Sequence, residues 1–163
     1  MPAPSAANRK TATAERELVI KRTFDAPLDL VWKVWSDPDH AKQWWGPKGF
    51  TAPVVELDAR PGGKWRSLMI APDGKEYWQH GIYREVVPKK RVTFTFIWDS
   101  EPEHEMLVTF SFAARGNKTE MTFRQTGFKS DGEREGHKGG WNESFDRLVD
   151  YLKKVKGESY ARR

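Results

Sequence analysis

The side chains with the widest range of chemistry in this chain are its four histidines, His40, His80, His104 and His137. Histidine can act as a general base or a metal ligand near neutral pH. A metal site needs ligands at close spacing, such as two histidines at i and i+4 on a helix, and these four show no such spacing. Cysteine is absent, which excludes disulfides, thiolate ligands and a cysteine nucleophile. The sequence therefore predicts no metal site.

Motifs for covalent or cofactor chemistry are missing as well. The chain has no GxSxG elbow, phosphate loop or dinucleotide fingerprint, so we predict no cofactor. Glu56, Glu85 and Glu105 could act as acids or bases, but glycosidase-type hydrolysis needs two carboxylates at a defined separation, and the sequence brings no two together. These observations favour a protein without catalytic function and leave an enzyme as the alternative.

Two polar residues are candidates for orienting a bound molecule. His80 lies mid-strand beside Gly81, where a missing side chain permits close approach. It is an anchor for a ligand if it points inward and a surface residue otherwise, and the pattern leaves open which face of strand 76–87 is the inner one. Gln125 is in register with Phe123, and a buried amide there needs a partner from a ligand, water or a neighbouring strand.

His137 and the run WWGPKGF at 44–50 are interpreted as the surroundings of a cavity opening. His137 precedes the long C-terminal helix and lies either at the cavity mouth or in solvent. The 44–50 run is rich in aromatic residues, glycine and proline, and acts either as a packed connection between a helix and a strand or as a gate.

Aromatic residues are unusually frequent, with 8 Trp, 9 Phe and 4 Tyr. Large rings fill protein cores, and they also line ligand pockets. We predict an apolar pocket for a small hydrophobic or aromatic molecule. The residues expected to line it are Trp45, Phe50, Trp65, Trp78, His80, Phe94, Trp98, Phe110, Gln125, Trp141 and Phe145.

Composition limits the other classes of function. The 163 residues suit one domain, predicted at 17–156 between a disordered tail at 1–16 and a short tail at 157–163. The net charge of +5 is spread along the chain without an RNA- or DNA-binding motif, so we expect no nucleic-acid partner. No apolar run is long enough to span a membrane, and a chain without cysteine suits the reducing cytoplasm.

The elements that must position these residues follow from periodicity. A strand over 17–26 precedes a helix that begins near Pro27 and a second, short helix that begins near Pro38. Alternating residues separated by turn signals predict an antiparallel meander of six further strands, at 51–58, 63–71, 76–87, 90–99, 105–114 and 118–127.

The final segment predicts one amphipathic helix over 131–157. Its apolar stripe falls at i, i+4, i+7, i+8 and i+11, on Trp141, Phe145, Leu148, Val149 and Leu152. Gly139 and Gly140 weaken this helix locally or let it pack closely against the sheet. Because the strands have one apolar face, the helix is the expected cover, and the class is α+β with a cavity between sheet and helix.

Several runs resemble one known family, the relatives of the activator of the heat-shock protein 90 ATPase, within the helix-grip (SRPBCC, START-like) superfamily. The runs occur in the family's order and cover most of residues 17–156. They are FDAPLDLVWKVWSDPDHAKQWWGPKGF (24–50), ARPGGKW (59–65), APDGKEYW (71–78), GIYREVVPKKRVTFTFIW (81–98) and GWNESFDRLVDYL (140–152).

The resemblance implies a helix-grip fold, in which a seven-stranded curved antiparallel sheet surrounds a long C-terminal helix and encloses an apolar cavity. It leaves function open, because one fold hosts many functions. A small apolar molecule is the expected partner. The alternatives are a cyclase- or hydrolase-like enzyme with His80 or an inward carboxylate as base, and a protein that binds a chaperone; a homodimer also stays open.

Overall fold

The computed structural model describes residues 16–161. Its secondary-structure elements agree with the predicted order and lie within a few residues of the predicted bounds. They are β1 (Leu18–Phe24), α1 (Leu28–Ser36), α2 (Pro38–Ala41), β2 (Thr51–Leu57), β3 (Lys64–Ile70), β4 (Glu76–Val87), β5 (Arg91–Trp98), β6 (Glu105–Arg115), β7 (Lys118–Thr126) and α3 (Asp131–Ala161).

The seven strands form one curled antiparallel sheet in the order β1-β7-β6-β5-β4-β3-β2. Strands β2 to β7 pair with their neighbours in sequence, as expected for a meander, while β1 pairs with β7 at the far edge. The α+β helix-grip architecture expected from the sequence is thereby confirmed. The described part of the chain includes no helix long and apolar enough to cross a membrane.

Helix α3 covers the apolar face of the sheet with the predicted stripe. Phe145 and Leu148 are fully buried, and Trp141 and Leu152 nearly so. Their partners are inward residues of the central strands; the Phe123 ring, for example, lies 4.7 Å from the Trp141 ring and 5.6 Å from the Phe145 ring. Burial of large apolar side chains on both sides stabilises this layer arrangement by the hydrophobic effect.

The long helix is unbroken through its glycines and ends later than expected. It continues through Gly139 and Gly140; a Cβ on Gly140 would come into ordinary contact with Pro47 and one on Gly139 would meet nothing within 4 Å, so close packing of these glycines against the sheet stays a prediction. It also passes Gly157 and ends at Ala161, because a single glycine lowers helix propensity without stopping a helix as proline does. The domain bounds at 17 and 156 stay predictions, and the predicted tail at 1–16 lies outside the described residues except for Arg16.

A glycine on β4 decides which face of that strand turns inward. Gly81 pairs with Trp65 across β3 and β4, and the Trp65 indole crosses it to donate a hydrogen bond to the Thr95 carbonyl at 2.9 Å. A Cβ on Gly81 would lie well inside van der Waals contact with the Thr95 carbonyl and the Trp65 ring. Gly81 therefore shares the inner face with Gln79 and Tyr83, which are both buried.

Replacing this glycine tests the close approach. We expect Gly81→Ala to lower the free energy of unfolding by roughly 3 kcal/mol, because the methyl group displaces the Trp65 indole and breaks its hydrogen bond. Urea unfolding measures the change. Gly139→Ala is the matched control, since a Cβ there meets nothing within 4 Å and helix propensity favours alanine. Equal stability of Gly81→Ala and the parent would contradict the packing.

Candidate ligand pocket

A pocket of ≈ 220 Å³ lies between the sheet and the N-terminal half of α3. Three regions form its wall: the 45–50 segment after α2, strands β3 to β5, and α3 between Gly136 and Ser144. The lining residues are Trp45, Gly46, Pro47, Phe50, Met69, Tyr77, Gln79, Phe96, Trp98, Gly136, His137, Gly140, Trp141 and Ser144.

The pocket is apolar and large enough for a ring. Six of its lining residues are aromatic, and many of their rings meet edge to face, such as Trp45 with Trp141 at 5.5 Å and Tyr77 with Trp98 at 6.2 Å. An apolar cavity of about 150 Å³ in another protein holds benzene. By size, this pocket therefore suits a molecule of one or two rings.

Two glycines on α3 leave the space that the pocket occupies. Gly136 and Gly140 are spaced i, i+4 and so lie one above the other on the same helix face. A Cβ on Gly136 would meet nothing within 4 Å. Both glycines line the pocket, and neither has a side chain that could fill it.

Arg147 holds the aromatic segment against α3. Its Nη1 donates to the carbonyl oxygens of Trp45, Gly46 and Pro47 at 3.1, 2.9 and 3.2 Å, and its Nη2 reaches the Gln43 carbonyl at 3.4 Å. Partial burial lowers the pKa of Arg147, but a guanidinium stays charged in proteins. One charged side chain thus fixes the backbone of the segment that carries Trp45.

Gln79 is a deeply buried polar group of the wall, with 2% of its surface exposed. Its Oε1 accepts two hydrogen bonds, from Trp45 Nε1 at 3.1 Å and from Ser67 Oγ at 2.7 Å. Its Nε2 lies 3.5 Å from Met69 Sδ, and a thioether is a weak acceptor. The amide therefore fixes the Trp45 ring while its own NH₂ group has only a weak partner.

His137 is the second polar group of the wall. The Trp98 indole donates to His137 Nε2 at 3.2 Å, and since an indole nitrogen can only donate, Nε2 carries no proton. Burial lowers the pKa of His137 to about 4; the nearby Glu133 carboxylate opposes this shift and His104 adds to it. His137 is therefore neutral at pH 7, with its proton on Nδ1.

A carboxylate lies one helical turn before His137. Glu133 accepts from His104 Nε2 at 2.8 Å and from the Lys129 amide at 3.2 Å. Burial acts to raise the pKa of Glu133, but these two hydrogen bonds and the nearby histidines lower it on balance. Glu133 ties the start of α3 to the β5–β6 connection rather than lining the pocket.

Four of the residues predicted for the pocket line it, namely Trp45, Phe50, Trp98 and Trp141. They come from three separate regions of the chain and meet because the 45–50 segment lies across the open side of the sheet. Whether they contact a ligand stays a prediction.

Five other predicted residues belong to the core beside the pocket, and all are buried. Gln125 accepts from Trp141 Nε1 at 2.9 Å and its Nε2 lies 3.4 Å from Met106 Sδ, so the neighbouring elements supply its partners. The four aromatic members pack against one another and against neighbouring rings; they are Trp65, Phe94, Phe110 and Phe145.

Trp78 and His80 lie on the outer face of β4, which corrects their expected place in the pocket. His80 Nδ1 lies 2.6 Å from an Asp99 oxygen, and the histidine side chain is 44% exposed. The Arg66 guanidinium lies 4.4 Å from the Trp78 ring centre. The cause is the period of two along a strand: once Gly81 must face Trp65, residues 78 and 80 point away.

The sequence pattern did not predict Gln79 as a pocket residue, and it left open whether His137 lies in the pocket or in solvent. Both faces of β4 carry aromatic residues, so alternation alone could not choose the inner one. The usable signal was the pairing of a small residue with a large one, Gly81 with Trp65. For His137 the signal was its position four residues before Trp141, on the helix face that covers the sheet.

The outer surface has few apolar side chains. Among residues 16–157, the large hydrophobic side chains that are exposed are Val19, Ile82 and Leu107. They lie on β1, β4 and β6, and none of these strands is adjacent to another of the three. Within the same range, no group of three or more His, Cys, Asp or Glu side chains could hold a metal ion.

The pKa of His137 predicts a pH dependence of stability. The unfolded chain takes up this proton near pH 6.5, whereas the folded protein takes it up near pH 4. Stability from this group is therefore complete above pH 6.5 and is lost as the pH falls towards 4. Between pH 6.5 and pH 4, we expect the free energy of unfolding of His137→Gln to fall by about 2 kcal/mol less than that of the parent. Urea unfolding at several pH values measures this difference.

The comparison between parent and variant isolates His137 from the other groups that titrate nearby. His104 and Glu133 are present in both proteins, and glutamine keeps an acceptor for Trp98 Nε1. An NMR titration that gives His137 an ordinary pKa near 6.5 would contradict the proposed neutral, buried state.

Solved structures of proteins from several bacteria have the same fold. A Chromobacterium violaceum protein is 26% identical, with a TM-score of 0.78 over 85% of this chain and 97% of its own. A Nitrosomonas europaea protein is 27% identical, with a TM-score of 0.76 over 88% and 98%. A Silicibacter pomeroyi protein titled AHSA1 is 28% identical, with a TM-score of 0.77 over 85% and 99%. A comparison with curated proteins gives no match.

The sequence itself matches a family profile. The profile described as "Activator of Hsp90 ATPase homolog 1-like protein" covers residues 25–153, which span α1 to most of α3 and hence every residue that lines the pocket. The match confirms the resemblance noted from the sequence runs, and the solved structures agree with it in fold. The chain belongs to the activator of Hsp90 ATPase homolog 1-like family.

Proposed function

We propose that this protein binds a small, neutral, apolar or aromatic molecule in the pocket between β3–β5 and α3. The observation that carries the proposal is the open volume of the pocket. The core beside it is closely packed with rings, yet ≈ 220 Å³ remains open among six aromatic residues. The surrounding core is close-packed, as protein interiors are, and a concave apolar wall with few polar groups is typical of ligand sites.

The rigidity of the walls supports binding. Trp45 donates to Gln79, Trp98 to His137, and Trp141 to Gln125. Each ring is held by a hydrogen bond as well as by packing, so little side-chain freedom remains to be lost when a molecule enters. A site organised in this way binds more tightly than a flexible one of equal area.

Binding is favoured over acid–base catalysis by the groups of the wall. Catalysis of the cyclase or hydrolase type needs groups that exchange protons near neutral pH. Of the described residues that line the pocket, only His137 has an ordinary pKa in that range, and burial lowers it to about 4. His80, the expected base, is outside the pocket.

Activation of a chaperone ATPase is the second candidate, and the family description favours it. It would act through the surface, where the exposed apolar residues are scattered over three non-adjacent strands. The two candidates separate experimentally, because a variant that fills the pocket removes ligand binding but leaves a surface interaction intact.

Filling the pocket from α3 tests the proposal. We expect Gly136→Leu to place a side chain in the pocket and weaken binding of the two-ring probe 1-indanone at least tenfold. The fold should be retained, because leucine is a better helix former than glycine. Quenching of the tryptophan fluorescence measures binding, since Trp45, Trp98 and Trp141 line the wall.

Gly139→Leu is the matched control on the same helix. Position 139 is exposed and outside the pocket, so this variant should bind the probe like the parent. Native mass spectrometry of the freshly purified parent adds a search for a bound natural molecule. If the parent does not bind the probe, or if both variants bind it equally well, the proposal is wrong.

A further inference from the structure

Several hydrogen-bond acceptors of the pocket wall are occupied by hydrogen bonds within the protein. Gln79 Oε1 receives two, from Trp45 and Ser67. The carbonyl oxygens of Gly46 and Pro47 accept hydrogen bonds from the Arg147 guanidinium. His137 Nε2 accepts a hydrogen bond from the Trp98 indole. A ligand that offers only hydrogen-bond donors would therefore have to compete with bonds that already exist.

One hydrogen-bond donor of the wall, in contrast, lacks a strong partner, because Gln79 Nε2 contacts only a sulfur atom. The NH₂ group has two hydrogens, its residue is 2% exposed, and its contact is Met69 Sδ at 3.5 Å. A buried donor without a strong acceptor costs free energy that a ligand oxygen could recover. Both Gln79 and Met69 line the pocket, so this donor is available to a bound molecule.

The charge of the wall adds a second restriction. Among the described residues that line the pocket, none has an ionised side chain at pH 7, since His137 is neutral. Moving an ion into an apolar pocket without a counter-charge is strongly unfavourable. The Tyr77 hydroxyl can donate or accept, whereas Ser144 Oγ donates its hydrogen to the Trp44 carbonyl at 2.9 Å and can only accept from a ligand.

We propose that Gln79 determines specificity in the pocket by donating from Nε2 to a carbonyl-type oxygen on a neutral, flat ligand. This inference rests on the proposed binding function and narrows it to uncharged aromatic molecules with an oxygen acceptor. The oxygen lies beside Met69 and Gln79, and the apolar rings of the molecule contact the Trp45, Trp98 and Trp141 side of the wall.

A pair of isosteric probes tests the donor. 1-Indanone has a carbonyl group where 1-methyleneindane has an exocyclic methylene group, and the two are otherwise alike. The affinity ratio of ketone to alkene is measured for the parent and for Gln79→Met by isothermal titration calorimetry. Because the hydration of each free probe is the same in both experiments, the change in ratio reports the contact with residue 79.

We expect the ketone-to-alkene ratio to fall about fivefold in Gln79→Met, the equivalent of one net hydrogen bond of about 1 kcal/mol. Gln125→Met is the matched control. Gln125 also accepts from a tryptophan and contacts a methionine sulfur, but it is not in the pocket wall. Its replacement loosens Trp141 and should weaken binding of both probes alike, which leaves the ratio unchanged.

The outcomes separate this inference from the proposed function. If both probes bind the parent and the ratio is the same in all three proteins, the pocket binds ligands but Gln79 does not select them. If neither probe binds the parent, the proposed function fails and the inference with it. A smaller ratio in Gln125→Met than in Gln79→Met would also overturn the assignment.

A measurement on the parent alone covers the case in which Gln79→Met fails to fold. The side-chain NH₂ signals of Gln79 in a ¹H–¹⁵N NMR spectrum should move downfield with 1-indanone and much less with 1-methyleneindane. Equal movement with both probes would show that no hydrogen bond forms and would contradict the proposal.

Discussion

The structure depends on one constraint: the long helix α3, with only the short helices α1 and α2 beside it, has to cover the apolar face of seven strands. The stripe from Trp141 to Leu152 packs against β1, β6 and β7, which bring Ile20, Phe110 and Phe123 into the core. The glycine-rich start of the helix has too few side chains to fill the space over β3 to β5. The 45–50 segment closes part of that space with aromatic rings, and what remains is the pocket.

Buried polar groups fix the rings in place. Two glutamines have the same set of contacts: Gln79 accepts from Trp45 and lies against Met69, while Gln125 accepts from Trp141 and lies against Met106. Each amide orients an indole that packing alone could hold in several ways. One set lies in the solid core and the other borders the pocket, so the same local chemistry has a purely structural role in one place and a ligand-facing position in the other.

Most of the fold follows from local patterns, and part of the pocket does not. The strand periodicity, the turn residues and the α3 stripe are local signals, and they placed every element. The inner face of β4 is a tertiary property, because both of its faces have aromatic residues and only the fit of Gly81 under Trp65 decides between them. Because neighbouring residues of a strand point to opposite faces, the sequence pattern predicted His80 in the pocket wall, where the structure has Gln79. The distinction between Trp98 in the wall and Phe94 in the core depends on where the helix leaves space.

The glycines of α3 have a consequence for hydrogen exchange. Four of the nine residues from Gly132 to Gly140 are glycine, and each costs about 1 kcal/mol of helix stability relative to alanine. The half of the helix from Trp141 to Leu152 is secured by buried side chains, whereas the glycine half has little such support. Backbone amides beside the pocket therefore open at a lower free energy than those over the core, while Glu133 and His137 keep this half of the helix attached to the β5–β6 side of the sheet.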